Sequence, residues 1–187
     1  MFRGRREERR EERQQEHAMF GRGGNATRYQ MRQRLVSIGQ DFTIENDRGE
    51  RVFQVDGKAL RVRQTVIFKD ARGQELCKIQ ERMVRVKDTM EIEGPNGETL
   101  ATVKKAIITP LRDRWTVRIS SGPELDIHGN ILDHEYDLEV GGHKVAEVSK
   151  RWFRVADTYG VEIEPGQNDV LILAATVAVD MMAHQGR

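Results

Sequence analysis

The sequence predicts an all-β domain, closed into a barrel of about twelve antiparallel strands around its own C-terminal helix. Three observations carry that expectation: apolar and polar residues alternate along most of the chain, a 24-residue frame recurs, and a nearly unbroken apolar segment lies near the end. The strands alone leave a two-sheet sandwich open as the alternative.

Residues 1–28 hold eight Arg and five Glu, followed by or mixed with Gly21, Gly23 and Gly24. The segment is therefore +3, leaving −2 for the rest of a chain whose formal charge is +1. Glu and Arg three or four apart support a solvated helix, but almost no apolar face is available to dock it. The expectation is a charged, flexible tail ahead of one domain over residues 29–187. Interleaved glutamates blunt a nucleic-acid arm, and no specific nucleic-acid partner is expected.

From Tyr29 onward the period is two. Phe42 and Ile44 alternate with Thr43 and Glu45, Met90 and Ile92 with Glu91 and Glu93, and Trp115, Val117 and Ile119 with Thr116 and Arg118. Tyr136, Leu138 and Val140, then Tyr159, Val161 and Ile163, continue the pattern, with Glu162 and Glu164 read as the wet face. Turn signals separate the strands at Asn46–Gly49, Asp56-Gly57, Asp70–Gly73, Gly94–Gly97, His128-Gly129-Asn130 and Gly141-Gly142. Strands joined this tightly form antiparallel hairpins.

Gly49, Val52, Val55, Leu60, Arg61, Val62 and Thr65 recur as Gly73, Leu76, Ile79, Val84, Arg85, Val86 and Thr89. They recur again as Gly142, Val145, Val148, Phe153, Arg154, Val155 and Thr158, with a fainter copy from Gly97 through Leu100, Val103 and Ile108. Each unit reads as turn, strand, connection and returning strand. Four units plus flanking strands give about a dozen strands, a number suited to closure because closure removes unpaired edges. The last segment favours the barrel over the sandwich. Asn168 is a good N-cap, Asp169 suits a first turn, and Val170 to Ala183 is apolar on nearly every side, so a helix over about 168–184 must be surrounded by protein. Its polar exceptions, Thr176, Asp180 and His184, are four apart and share one face, where a buried Asp needs a donor.

Composition excludes several classes. At 37% hydrophobic and 33% charged residues the chain is globular and heavily charged at its surface. A single cysteine, Cys77, rules out an internal disulfide and a cysteine-based metal cluster, and fits a reducing cytoplasm. The first residues carry no apolar signal stretch, and the apolar C-terminal segment falls short of the ~20 residues of a spanning helix. No transmembrane segment is expected.

The same residues resemble a known family. Ser37-Ile38-Gly39 with Ile44-Glu45-Asn46, Val55–Leu60, Lys78–Arg82, Val103–Ala106, Gly129-Asn130, Glu147–Phe153 and Tyr159–Ile163 are similar to the LURP-one-related family, within the tubby C-terminal-like class that includes phospholipid scramblases. With Pro165-Gly166-Gln167 leading into the helix, the likeness covers about residues 29–184. It implies a twelve-stranded barrel around a central helix. For function it implies little beyond the phosphoinositide and phospholipid binding of distant relatives.

Catalytic and metal signatures are weak. The histidines form no ligand spacing. Asp126–Asp137 is the densest run of candidate ligands, yet it fails as an EF-hand because Ile131 stands at the turn-glycine position and Asp137 replaces the closing Glu. No metal or other cofactor is expected. Ser120-Ser121-Gly122 and Ser149 lack a neighbouring base, and no glycine loop cradles phosphate. The basic pairs Lys104-Lys105 and Lys150-Arg151 occupy equivalent turns of the repeat, with Trp152, Phe153 and Arg154 beside the second. Cations next to an aromatic suit an interface with lipid phosphates, whereas the bland alternative has Trp152 and Phe153 filling the barrel. The expected function is a non-enzymatic binding or scaffolding domain, cytoplasmic or peripheral at a membrane, with anionic phospholipid headgroups or another protein as partner. The alternative is an enzyme or small-molecule carrier with a polar pocket at the barrel end near Thr176, Asp180 and His184.

Overall fold

One hairpin recipe, used repeatedly, builds the wall. In the computed structural model, which describes residues 25–36, 39–57, 64–82, 89–106, 113–153 and 158–184, Gly49, Gly73, Gly97 and Gly142 have φ of +76°, +84°, +83° and +82°. Each closes a tight turn, and the pairing shifts register beside it, after Ile44, Phe68, Ile92 and Leu138. In the first of these turns Asn46 Oδ1 accepts from the N–H groups of Arg48 and Glu50, and Asp70 Oδ1 does the same for Arg72 and Gln74 in the second. A polar residue that folds the chain back, a left-handed Gly and a bulge give the strands their twist.

The strands are β1 (Thr27–Val36), β2 (Gly39–Asn46), β3 (Arg51–Gly57), β4 (Thr65–Asp70), β5 (Glu75–Glu81), β6 (Thr89–Glu93), β7 (Thr99–Lys105), β8 (Asp113–Ile119), β9 (Leu125–Asn130), β10 (Glu135–Val140), β11 (His143–Ser149) and β12 (Thr158–Ile163). They form a closed antiparallel barrel in sequence order, sealed by β1 against β12. The tight turns after β2, β4, β6, β8 and β10 gather at one end, and β1, β3, β5, β7, β9 and β11 run toward the other. The helix α1 (Asp169–His184) follows β12 from the turn end, and its sixteen residues span about 24 Å toward the opposite end.

Residues 171–181 of α1 are buried without interruption, so the helix occupies the barrel interior. Around it stand the inward residues of the wall, among them Met31, Phe42, Ile44, Phe68, Ile79, Ile92, Trp115, Ile127, Leu138 and Val161. Cys77 belongs to this shell, and burial, reinforced by Glu75, pushes its thiol up to about 12. Asn168 caps the helix: its Oδ1 accepts from Leu171 N at 3.1 Å. Tyr29 OH on β1 donates to Asp169 Oδ2 at 2.7 Å, tying the first turn to the wall.

Three sequence readings change. β1 begins at Thr27, two residues inside the expected tail; that tail as far as Gly24 lies outside the described residues. His128-Gly129-Asn130 is strand, with the turn following at residues 131–134. Gly129 serves close packing instead, because a Cβ there would lie 2.7 Å from Tyr136 Cα. Asp56-Gly57 likewise ends β3. Glu162, read as part of the wet face, is 0% exposed beneath Arg28, whose Nη2 lies 3.2 Å from Oε1. Burial raises its carboxyl above the ordinary range, and Arg28 opposes that shift.

Candidate functional site

At the loop end, the turn between β9 and β10 meets the last turns of α1. Thr176 and Asp180 lie one turn apart on one face of the helix and are both buried. Thr176 satisfies itself by donating to Ile172 O at 3.0 Å. Asp180 is a carboxylate acceptor and needs a group from the wall. His134 faces it from the wall, with Nδ1 at an ion-pair spacing of 3.5 Å from Asp180 Oδ1. His134 ends the turn between β9 and β10 in a left-handed conformation, φ +52°, uncommon for a residue with a side chain. Its ring stacks on Tyr159 at 4.2 Å between centroids, 10° from parallel.

Tyr136 on β10 and Tyr159 on β12 complete the cluster. Burial first, then the negative charge of Asp180, holds both phenols well above their ordinary range, with Thr176 partly offsetting the shift at Tyr136. With both phenols held neutral, the negative charge near them is that of Asp180. Asp180 is only 1% exposed. The cluster is a packed polar knot inside the barrel, a geometry for anchoring the helix.

The β11–β12 connection rests on that turn. Lys150 N donates to His134 O at 3.1 Å and to Glu135 Oε1 at 3.0 Å, and Arg151 N donates to the same oxygen at 3.1 Å. Ser149 Oγ donates to Glu135, and Arg151 Nε lies 3.2 Å from Glu135 Oε2. One carboxylate therefore pins the turn while the Lys150 and Arg151 side chains extend outward, the latter 81% exposed. Trp152 and Phe153 fold back over Gly160. Tyr159 and Val161 point into the core, so Gly160 faces outward, and a Cβ on it would overlap Trp152 Cε3 and lie 3.0 Å from Phe153 Cε2. The aromatic pair packs on the outer wall and does not fill the barrel.

Lys104 and Lys105 end β7, where strand alternation sends them to opposite faces. Lys104 is exposed, while Lys105 Nζ lies 5.4 Å from the centre of the buried Trp115 ring. β8, β9 and β10 separate β7 from β11. Four strand spacings amount to about 19 Å along the wall, so the two basic pairs occupy different parts of one rim. Arg154 and the side chain of His184 lie outside the described residues. Sequence reasoning placed Thr176 and Asp180 at this end but missed His134, Glu135, Tyr136 and Tyr159 as their partners. The need for a buried partner was the available signal, and only the barrel's closure shows which residues surround the acid.

Among the described residues no helix is long and apolar enough to cross a membrane. The X-ray structure of an Arabidopsis thaliana protein is similar to this chain at a TM-score of 0.61 and 16% identity, covering 84% of this chain and 92% of that one. At that identity the likeness concerns the fold. Comparison with curated proteins gives no match. The family model for LURP-one-related proteins matches residues 27–180, the whole barrel and all but the end of its helix, and the chain belongs to the LURP-one-related family.

Proposed function

We propose that this domain is a non-enzymatic binding module that meets anionic phospholipid headgroups through the turn Lys150-Arg151-Trp152, peripherally at a membrane surface. The observation that carries the reading is the turn itself. Its backbone is fixed by Glu135 and His134, its two cationic side chains are exposed, and a half-buried Trp152 stands next to them. A fixed backbone lowers the entropy lost on binding, and cations beside an aromatic match the phosphate level of a bilayer. Lys104, exposed on the same rim, adds a second positive contact. The alternative enzyme or carrier reading needs access to Thr176 and Asp180, which are packed beneath the wall.

Vesicle sedimentation tests the proposal. Each cation near an anionic surface contributes about 1 kcal/mol, so Lys150→Gln with Arg151→Gln should weaken binding to phosphoinositide-containing vesicles roughly thirtyfold at low salt. Wild-type binding should fall as salt rises, and neutral vesicles should recover little protein. Equal recovery of wild type and the folded double variant on anionic vesicles would remove the lipid reading and leave a protein partner as the occupant of this rim.

A further inference from the structure

The outer face of β9 and β10 brings together three side chains that no linear motif joins. His128 and Asp137 are direct cross-strand partners, and Glu139 follows Asp137 by two residues on the same face. One donor atom from each of the three lies within 4.8 Å of the others. His128 Nε2 stands 3.2 Å from Glu139 Oε1. Two ligands at 2.0–2.1 Å from a tetrahedral zinc stand about 3.4 Å apart, so this pair already has the spacing of one edge of a coordination shell. The widest separation must close by no more than about 1.4 Å, a movement available to the tip of an Asp or Glu side chain.

The geometry points to a divalent-cation site at His128, Asp137 and Glu139, suited to zinc or a similar borderline ion. It is independent of the basic turn at the rim. One imidazole and two carboxylates match such an ion in donor type and nearly in charge, whereas calcium takes six to eight oxygens. The support is packed: Leu138, between the two acids, and Ile127, beside His128, are fully buried on the opposite face. Outer partners orient the acids. Lys144 Nζ lies 2.8 Å from Asp137 Oδ1 and 3.1 Å from Glu147 Oε2, so it can keep Glu147 if the cation draws Asp137 away. Asp126, opposite Glu139 and held by Arg114 at 3.0 Å, flanks the site. Exposure of His128, at 43%, leaves the remaining coordination positions to solvent. These ligands are gathered by strand register and not by a loop, and Glu139 lies beyond the Asp126–Asp137 run.

Isothermal titration of the tag-free full chain with Zn²⁺ should show saturable one-to-one binding in the micromolar range, with Ca²⁺ giving none. His128→Ala and Glu139→Gln should each weaken Zn²⁺ binding at least tenfold, and Lys144→Met should strengthen it by removing a competing cation. His143→Ala is the control, because His143 also meets an acid, Glu164, at 2.9 Å elsewhere on the wall. Co²⁺ should develop visible absorption bands that His128→Ala abolishes. No saturable Zn²⁺ binding would overturn the assignment. So would binding that folded His128→Ala and Glu139→Gln retain within twofold, since the ion would then sit on other residues.

Discussion

Asp180 carries the polar knot that fixes the helix to the wall. A buried carboxylate without a cationic or donating partner is costly, and His134 stands where it can lower that cost. Removing either partner strands the other, so Asp180→Ala and His134→Ala should each cost about 3 kcal/mol. The double variant should cost less than the sum by more than about 1 kcal/mol. Urea unfolding of the four proteins measures that coupling, and additivity within about 0.5 kcal/mol would show that the pair does not interact. The sequence exposed half of this arrangement. Thr176 and Asp180 interrupt an apolar helix one turn apart, which demands a donor, but nothing local marks His134 as that donor.

The hairpin is the element that sequence made most readable. The recurring Gly49, Gly73, Gly97 and Gly142 announce left-handed turns, and all four adopt them. The first residues of β4, β6 and β12, Thr65, Thr89 and Thr158, hold equivalent and equally buried places in the repeat. Gly129 misleads because it serves proximity. Gly129 in β9 and Gly160 in β12 lie within strands, where neighbouring atoms leave no room for a Cβ. The outward fold of Trp152 follows from Gly160 and could not be seen in the alternation of strand residues. Gly160→Ala should therefore destabilise by about 1–3 kcal/mol through overpacking, and much of that loss should disappear in a Trp152→Ala background. Gly49→Ala meets no atom within 4 Å and should carry only the backbone cost of φ +76°, unchanged by Trp152→Ala. Thermal denaturation of these variants distinguishes the two causes; a Gly160→Ala penalty indifferent to Trp152 would contradict the packing.

At the scale of the molecule, the barrel and the helix are one structure. Closure and the apolar helix were legible because twelve strands need an interior and a helix apolar all round needs a container. The rim's chemistry was less legible, since whether two basic pairs meet depends on how many strands separate them. α1 supplies Leu171, Ile172, Leu173, Val177, Val179 and Met181 to the interior, each worth ~1.5–3 kcal/mol when buried, which together match or exceed a typical domain's entire stability. It is also held at both ends, by Tyr29 at Asp169 and by His134 at Asp180. The most direct test is thermal unfolding, followed by circular dichroism, of a chain ending at Gly166. The truncated protein should show no cooperative transition and should expose apolar surface to a hydrophobic dye, and a cooperative transition at the temperature of the full chain would contradict a barrel built around its helix.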